Sequence, residues 1–378
     1  MKVPATRTYV DIRHGLGNIA TVLRGRACRI AYVGNSVTAQ RDGFVRYLHA
    51  HLGTWTAQPH HAFQVGLSGM GSMGCLFTLD SFVLSRKPDL CFIECTTGDA
   101  GSRPPLEIIG PAIEGLVRKL RTIGCECCIL HAYRADRSVE DFQPIIDRYE
   151  RVADHYGIPS VHLGRAIDLG LTSGEWSLEQ LFLDGIHTTT EGGRVVATLI
   201  ARALQTILSA GPADAPPLGL RLHPDDFEAA RLLHPELQTA LLPQRCRSSH
   251  FRQVLPYLEI GAGNGLVLDA APGKLAGLLF VAGPHAGDIV IEAESQTREY
   301  STWDEWCDRD LLRSVIFPEP IRRDATVRLT VMDRGGWSRG DPSGAFHGIP
   351  KLLKLIGFML YDERSSTPVV GMAFDTKN

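Results

Sequence analysis

The sequence predicts an α/β fold with a mostly parallel sheet between two helical layers, followed by an antiparallel β-sandwich. Three observations lead to this prediction. Short apolar runs alternate with amphipathic stretches over residues 1–210, a pattern that builds a parallel sheet covered on both faces. A Pro- and Ala-rich break, AGPADAPPL, follows at 210–218. Beyond residue 250, short apolar runs are separated by Gly, Pro and Asp, which is typical of antiparallel strands.

Five apolar runs in the first part are predicted to be strands, and four amphipathic stretches are predicted to be helices. The strands are expected at 29–33, 62–65, 89–95, 127–132 and 159–163. In the helices, apolar residues recur at spacings of three and four, which places each set on one helix face. These sets are Phe44, Val45, Leu48 and Leu52; Ile113, Leu116, Val117, Leu120 and Ile123; Ile145, Tyr149, Val152, Ala153 and Tyr156; and Val195, Val196, Leu199, Ile200 and Leu204.

The same patterns predict the domain boundaries. We assign 1–210 to the α/β domain, 211–245 to a linker with a short helical segment near 225–233, and 246–378 to the β-sandwich. Pro111 is expected to begin one helix, because proline suits the first helical position. Gly124 and Gly157 are expected to follow the ends of two others.

Composition and charge argue against two classes of partner. The 378-residue chain is 44% hydrophobic and 21% charged, near the averages for soluble globular proteins. Lys and Arg total 39 and Asp and Glu total 42, so the net charge of −3 offers no positive field for a polyanion. We therefore expect no nucleic-acid partner and no membrane partner. No apolar run approaches the roughly 20 residues of a membrane-spanning helix.

The nine cysteines are expected to be buried free thiols, because several stand within apolar runs. The N-terminal segment lacks the apolar stretch of a signal peptide, so the expected location is cytoplasmic. Cys125, Cys127 and Cys128 open a strand, where neighbours point to opposite faces, and no second pair stands at zinc-site spacing. We expect no metal there, and the sequence indicates no cofactor.

The first candidate for chemistry is Ser36, in IAYVGNSVTAQ at 30–40. A serine at the carboxyl end of a parallel strand lies where open α/β sheets bind their ligands. A tight glycine turn can expose its hydroxyl, and the following N–H groups can face a developing anion. A lone serine in this setting is more often only a helix cap.

The second candidate is the pair Asp184 and His187, in LDGIHTTTEGG at 183–193. Their spacing of three residues lets the carboxylate lie beside the imidazole within one turn. Such a carboxylate fixes the histidine tautomer and stabilises the imidazolium that forms when histidine takes a proton from serine. Taken alone, the spacing is common, and capping or surface roles are the usual explanation.

The third candidate stretch, FIECTTGDAG at 92–101, ends another apolar strand at the same expected sheet edge. Asp99 can cap a helix, orient a loop or contact a substrate. Together with Asn35, Thr97 and Arg134, it forms our weak set of candidate substrate-binding residues. Gly69, in GLSGMGSMG, ends a further strand and can present a bare N–H close to a ligand, with a packing turn as the alternative.

These stretches together resemble the SGNH/GDSL hydrolase family in content and order, over about residues 12–208. The resemblance implies a flavodoxin-like, three-layer α/β/α domain. It also implies that Ser36 is the nucleophile, His187 the general base and Asp184 the residue that orients it. Gly69 matches the family glycine that donates its N–H to the oxyanion hole, beside the N–H of Ser36.

Two positions depart from the family pattern. Asn35 replaces the usual Asp, a side chain that does no direct chemistry in the family. Gly98 stands where the family has its oxyanion-hole Asn, and losing one such donor costs about 10²–10³ in turnover. Thr96, Thr97 and Asn35 itself are the substitutes that the sequence offers.

The second domain resembles, more loosely, the β-sandwich of family members encoded near polysaccharide loci. The matching segment is VAGPHAGDIVIEAESQTREYSTWDEWC. This looser resemblance implies a function related to carbohydrates. Tyr300, Trp303 and Trp306 are candidates for stacking on sugar rings, with a place in the sandwich core as the alternative.

The sequence therefore predicts a serine esterase that removes a small acyl group, most plausibly acetyl, from a carbohydrate or glycoconjugate. An O-acyltransferase that uses the same Ser-His-Asp site is one alternative. A degenerate, non-catalytic glycan-binding module is the other, and Gly98 is its main support. Assembly into a homo-oligomer is left open.

Overall fold

The computed structural model describes most of the chain. The described residues are 4–56, 59–137, 139–210, 218–224, 227–234, 244–247, 254–293, 296–303, 307–334 and 348–362.

The first part of the chain contains a six-stranded sheet in the order β1-β6-β5-β4-β2-β3. All neighbouring strands are parallel except β1, which runs antiparallel to β6. The five predicted strands are all present, within two residues of the expected bounds. The strands are β1 (Val10–Asp11), β2 (Arg29–Gly34), β3 (His61–Gly66), β4 (Leu90–Glu94), β5 (Glu126–His131) and β6 (Ser160–His162).

Among the described residues, ten α-helices surround this sheet. They are α1 (Gly17–Gly25), α2 (Ser36–Ala39), α3 (Phe44–Leu52), α4 (Gly71–Phe82), α5 (Thr96–Ser102), α6 (Leu106–Thr122), α7 (Val139–Tyr156), α8 (Leu163–Thr172), α9 (Leu178–Leu181) and α10 (Thr190–Ser209). Side chains alternate between the sheet faces, so Ile30 and Tyr32 of β2 join one apolar cluster while Ala31 and Val33 join the other. Helices α1, α3, α8 and α10 complete the first cluster, and α4, α6 and α7 the second.

One predicted helix boundary is wrong. Pro111 lies inside α6, which begins five residues earlier at Leu106. Because Pro111 has no N–H, α6 forgoes the backbone hydrogen bond that this position would give to the carbonyl oxygen of Glu107. Gly124 and Gly157 do follow α6 and α7, and both have positive φ angles, 76° and 66°, which glycine adopts without strain.

The rest of the chain forms two antiparallel sheets, which we call the C-terminal double sheet. One has the order β10-β15-β12-β13, and the other β14-β11-β16-β9-β8, with β7 also paired to β16. Apolar side chains from both sheets form one cluster between them. The predicted fold class is confirmed. The strands are β7 (Arg231–Leu233), β8 (Gln244–Arg247), β9 (Val254–Gly261), β10 (Gly265–Leu268), β11 (Lys274–Ala282), β12 (Ile289–Ala293), β13 (Gln296–Tyr300), β14 (Leu311–Arg322), β15 (Val327–Val331) and β16 (Leu352–Tyr361).

The helical segment expected near 225–233 is a second error. Residues 231–233 form strand β7, and Leu233, Leu232 and Arg231 pair with Phe358, Met359 and Leu360 of β16. Pairing with a strand far along the chain overrides the local helical pattern. Residues 211–217, 225–226 and 235–243 of the predicted linker segment lie outside the described residues.

The double sheet packs against the α/β part through a continuous apolar cluster. Leu76 and Leu79 of α4 share this cluster with Leu232 of β7 and with Leu279 of β11. Helix α4 is therefore covered by the sheet on one side and by the double sheet on the other, and ten of its twelve residues are buried. The interface resembles a protein core more than a loose contact between domains.

The cysteines are buried free thiols where their side chains are described. They are Cys28, Cys75, Cys91, Cys95, Cys125, Cys127, Cys128 and Cys307. Cys246 lies among the residues whose side chains are not described.

Candidate active site

Strand β2 lies where the strand order of the parallel sheet reverses, because β3 lies on one side of it and β4 on the other. Such a point opens a crevice at the carboxyl ends of the strands, where ligands bind. Ser36 directly follows β2, the loop with Gly69 follows β3, and helix α5 follows β4. The fold thus brings three separate candidate stretches to one place.

The structure places Ser36, His187 and Asp184 in one hydrogen-bonded row. His187 Nε2 lies 2.8 Å from Ser36 Oγ, and His187 Nδ1 lies 2.7 Å from Asp184 Oδ2. A carboxylate can only accept, so Nδ1 carries the hydrogen and Nε2 accepts from the serine hydroxyl. In this geometry the imidazole can take the serine proton.

The loop that carries Asp184 and His187 is held by its own backbone. Asp184 Oδ1 accepts hydrogen bonds from the N–H groups of His187 and Ile186, at 2.8 and 3.1 Å. Partial burial raises the pKa of the Asp184 carboxyl, but these bonds and the imidazole outweigh it and hold the pKa below its usual value. Asp184 is therefore ionised at neutral pH, as its orienting role requires.

Gln40, just after α2, ties this loop to the serine turn. Its side-chain oxygen accepts from the N–H of Thr188 at 3.1 Å and from the hydroxyl of the same residue at 3.2 Å. Its amide nitrogen donates to the carbonyl oxygen of Thr188 at 2.5 Å. These bonds fix the residue after His187 relative to the turn that carries Ser36. They therefore help to hold the base within hydrogen-bond distance of the nucleophile.

Two backbone N–H groups beside Ser36 are available to an anion. Those of Ser36 and Gly69 donate to no acceptor within the part of the chain that the structure describes. Gly69 has a φ of 72°, and a Cβ built on it would meet no atom within 4 Å, so it borders open space. Both groups therefore stay candidates for the oxyanion-hole donors.

The two departures from the family pattern meet in space. A Cβ built on Gly98 would lie 2.1 Å from Asn35 Oδ1, so the Asn35 side chain fills the room that a residue at position 98 needs. Asn35 Nδ2 donates to the carbonyl oxygens of Glu94 and Cys95, at 3.3 and 3.1 Å, and its Oδ1 accepts from the N–H of Gly71 at 3.0 Å. Both the nitrogen and the oxygen of the carboxamide are thus hydrogen-bonded to backbone groups.

Thr96 and Thr97 also present no donor to the crevice. The Thr97 hydroxyl donates to Glu94 Oε1 at 2.5 Å. The Thr96 hydroxyl is buried and, among the described residues, has no partner. With Asn35 committed as well, none of the three proposed substitutes supplies the missing oxyanion donor in this geometry.

Asp99 is almost fully buried and joins helix α5 to helices α4 and α7. Its Oδ1 accepts from the N–H and hydroxyl of Ser72, at 2.8 and 3.1 Å, and its Oδ2 from the hydroxyl of Tyr149 at 2.5 Å. Burial raises its pKa to about 6 despite these bonds. Of the alternatives left open by the sequence, the structure favours capping for Asp99, since Oδ1 accepts from the N–H of Ser72 in the first turn of α4.

Arg134 lies beside the crevice but is also engaged. It donates to both carboxylate oxygens of Asp136, at 2.9 and 2.6 Å, and to the carbonyl oxygen of Thr97 at 2.6 Å. Its neighbour Ala135 donates an N–H to the carbonyl oxygen of Gly185 at 2.9 Å. The Arg134 turn therefore links the end of β5 to α5 and to the Asp184 loop.

Glu94 is a buried carboxyl group that the sequence analysis did not single out. It lies at the end of β4 below the serine turn and accepts from the hydroxyls of Thr97 and Thr38, at 2.5 and 3.1 Å. Burial raises its pKa to about 7, and these hydrogen bonds only partly offset the burial. The signal in the sequence was an acidic residue inside the apolar run LCFIEC.

One group of side chains among the described residues has the composition of a metal site: His131, Glu150 and His162, with ligand atoms within 4.8 Å of one another. The guanidinium of Arg13 lies 2.7 Å from Glu150 Oε2, on the same carboxylate that His131 contacts. Burial raises the pKa of Glu150, but the bonds from the histidines and Arg13 prevail and hold the pKa far below its usual value. A resident cation there would compete with a guanidinium, so we interpret the group as an ion-pair network.

The aromatic candidates of the second part lie against the core of the double sheet. The Tyr300 ring stacks on Phe317 with centroids 4.5 Å apart, and Trp303 packs on the same apolar cluster. Trp306 lies outside the described residues. Packing within the double sheet accounts for both described rings.

No family model matches the chain, and no curated protein matches it. Among solved structures, a two-domain esterase active on acetylated mannans aligns with 97% of this chain and 100% of its own, with a TM-score of 0.77 and 15% identity. This chain has the fold of that esterase. The same comparison finds that esterase co-crystallised with mannopentaose, at a TM-score of 0.75. An acetyl xylan esterase aligns with 46% of this chain, with a TM-score of 0.40 and 17% identity.

The shared fold agrees with the fold expected from the SGNH/GDSL resemblance. At 15% identity it says nothing by itself about single residues. A separate property concerns membranes: within the described residues, no helix is both long enough and apolar enough to cross one.

Proposed function

We propose that this protein is a serine esterase that removes a small acyl group, most plausibly acetyl, from a carbohydrate. The observation that carries the proposal is the unbroken contact from Ser36 Oγ through the His187 imidazole to the Asp184 carboxylate, at 2.8 and 2.7 Å. At the same edge of the sheet, the N–H groups of Ser36 and Gly69 have no acceptor among the described residues. A nucleophile, a base, an orienting group and oxyanion donors are the parts that acyl transfer needs.

In the proposed reaction, Ser36 Oγ attacks the ester carbonyl carbon while its proton passes to His187 Nε2. The N–H groups of Ser36 and Gly69 bind the oxygen that becomes negative in the tetrahedral intermediate. The intermediate collapses to an acyl-enzyme, and His187 returns the proton to the departing sugar hydroxyl. A water molecule, deprotonated by His187, then attacks the acyl carbon and releases the acid and free Ser36.

The proposed substrate class rests on the structural comparison. The aligned esterase is active on acetylated mannans, and it was co-crystallised with a mannose oligomer. Acetate esters of sugar hydroxyls are uncharged, which agrees with a chain whose net charge is only −3. We extend this substrate class, an acetylated polysaccharide or oligosaccharide, to the present chain.

The accessibility of the site favours hydrolysis over transfer to a second sugar. The side chains of Asp184 and His187 are 55% and 34% exposed. A transferase must keep water from its acyl-enzyme, whereas this row of side chains is open to solvent. The intact row also argues against a degenerate binding module, because binding alone does not require the three groups in contact.

The proposal is tested by labelling and turnover of a purified Ser36→Ala variant. A fluorophosphonate probe should label the wild type, and p-nitrophenyl acetate should be hydrolysed. In Ser36→Ala, labelling should vanish and kcat/KM should fall by at least about 10³-fold. Ser85→Ala is the matched control, because Ser85 is exposed and its hydroxyl bonds only the carbonyl oxygen of Ser81. Equal labelling and turnover in wild type and Ser36→Ala would refute the proposal.

The natural reaction is tested with acetylated mannan. The wild type should release acetate, and an added oligosaccharide acceptor should leave the acetate yield unchanged. Acetyl groups recovered mainly on the acceptor would instead identify a transferase.

A further inference from the structure

We infer that Arg313, carried by strand β14 of the C-terminal double sheet, positions the Gly69 N–H as an oxyanion donor. The inference rests on the proposed function. It makes the second part of the chain a component of the esterase site, through a residue that touches no substrate.

Arg313 contacts the loop between β3 and α4. Its Nη1 donates to the carbonyl oxygen of Ser68 at 3.2 Å, and also to the carbonyl oxygen of Leu312 at 3.2 Å. Ser68 is the residue immediately before Gly69. The contact therefore joins the double sheet to the same loop that borders the crevice.

The carbonyl of Ser68 and the N–H of Gly69 belong to one peptide group. That group is planar and trans, so its C=O and N–H point in opposite directions. A donor that holds the oxygen on one side consequently aims the N–H to the other side. Because the donor is a guanidinium, the bond is charge-assisted, and it polarises the peptide so that its N–H becomes a better donor.

This peptide group needs such a restraint. Gly69 has no Cβ and adopts a φ of 72°, and glycine populates positive and negative φ with similar ease. Rotation of the Ser68–Gly69 peptide is thus opposed by little local strain, and it would change the direction in which the N–H points. The bond to Arg313 favours the orientation in which the N–H can meet an oxyanion.

Both partners of this contact are held firmly. Leu312, next to Arg313, is 4% exposed and lies in the apolar cluster shared with α4. In the sheet, Arg313 pairs with Phe280 of β11. On the other side, α4 begins at Gly71, two residues after Gly69. The guanidinium and the loop are therefore fixed to one packed unit.

The vacant Asn position increases the importance of this contact. Gly98 supplies no side-chain donor, the Asn35 and Thr97 side chains are engaged elsewhere, and the Thr96 hydroxyl is buried. An oxyanion hole with two backbone donors loses half of them when one peptide group rotates. The role of Arg313 is therefore one of positioning, with its effect on kcat rather than on substrate affinity.

The test compares Arg313→Met, Arg313→Lys and Arg298→Met, with p-nitrophenyl acetate as a substrate too small to bind the double sheet. Arg313→Met should lower kcat by about 10- to 100-fold with KM within about twofold, near the cost of a lost oxyanion donor. Arg313→Lys keeps the charge and should recover part of kcat. Arg298 is the control because it also donates to a backbone carbonyl oxygen within the double sheet, that of Glu319 at 2.6 Å, and its variant should match the wild type.

A second measurement distinguishes a misplaced oxyanion donor from a general loss of packing around the site. The Ki of a boronic acid, which forms a tetrahedral adduct with the serine, should rise in Arg313→Met by the same factor by which kcat/KM falls. If Arg313→Met does not fold, Arg313→Gln removes the charge and carries the same expectations. A folded Arg313→Met or Arg313→Gln with kcat within twofold of wild type, while Ser36→Ala is inactive, overturns this inference alone. A wild type without Ser36-dependent turnover overturns the proposed function and this inference together.

Discussion

The Gly98→Ala variant tests whether position 98 is closed by the Asn35 side chain. A Cβ at this position would lie 2.1, 2.3 and 2.4 Å from Oδ1, Cγ and Nδ2 of Asn35. These distances are far shorter than van der Waals contact, so the carboxamide must move. It cannot move without cost, because it bonds the carbonyl oxygens of Glu94 and Cys95 and the N–H of Gly71.

The cost follows from the groups that lose their partners. Displacing the carboxamide leaves the Gly71 N–H and the Asn35 amide hydrogens buried, and each unsatisfied group costs about 1–3 kcal/mol. Replacing glycine by alanine within a helix returns about 1 kcal/mol. We therefore expect Gly98→Ala to lower the free energy of unfolding by about 3 kcal/mol, which corresponds to roughly 4 °C in the melting temperature of a 378-residue chain that unfolds as one unit.

Thermal and urea unfolding measure this loss, with Gly101→Ala as the matched control. Gly101 lies in the same helix α5, but its Cβ would meet only Arg134 Nη1 at 3.6 Å, an ordinary contact. The Gly101→Ala variant should therefore melt within about 2 °C of the wild type. The double variant Asn35→Ala/Gly98→Ala should be no less stable than Asn35→Ala alone, because the clash has been removed. Equal melting temperatures for Gly98→Ala and Gly101→Ala would refute the steric argument.

Two further predictions concern charge. Asp184→Asn should lower kcat/KM for p-nitrophenyl acetate by about 10²-fold. This is less than the roughly 10⁴-fold effect of the same change at a buried carboxylate, because Asp184 is 55% exposed. A loss below about threefold would contradict its orienting role. Burial raises the pKa of Glu94 from 4.5 to about 7, so the folded chain binds this proton more tightly than the unfolded chain. The stabilisation from the bound proton is therefore lost as the pH rises from about 4.5 to above 7, by up to about 3 kcal/mol. Between pH 5 and 8, the free energy of unfolding measured in urea should fall less with rising pH in Glu94→Gln than in the wild type. The same pH dependence in both proteins would contradict this expectation.

The candidate residues could be located in the sequence because each lies next to an element that local patterning reveals. The apolar runs before Ser36 and Asp99 are buried strands of one parallel sheet, and parallel strands end at the same edge. Asp184 and His187 lie three residues apart, so their contact is local. The distance of 2.8 Å between Ser36 and His187 depends on the whole fold, and only the family resemblance indicated it.

Helix α4 and strand β7 escaped prediction for a common reason. Helix α4 is apolar almost all round, since the double sheet covers the face that would otherwise be polar. It therefore lacks the amphipathic period by which a surface helix is found. Strand β7 has three residues and exists through its pairing with β16, more than 120 residues along the chain. Both depend on how the two parts of the chain pack, which no local pattern contains.

Asn35 and Gly98 look like two independent departures in the sequence, but the structure makes them one. The amide nitrogen of Asn35 donates to two carbonyl oxygens, so the family's usual Asp in this side-chain position would set an acceptor against two acceptors, beside the buried Glu94. An amide at position 35 suits this arrangement, and once it is there, only glycine fits at position 98. The oxyanion must then depend on backbone donors. A backbone N–H keeps its direction only if something restrains the rotation of its peptide group. This dependence gives the contact between Arg313 and the Ser68 carbonyl its physical significance.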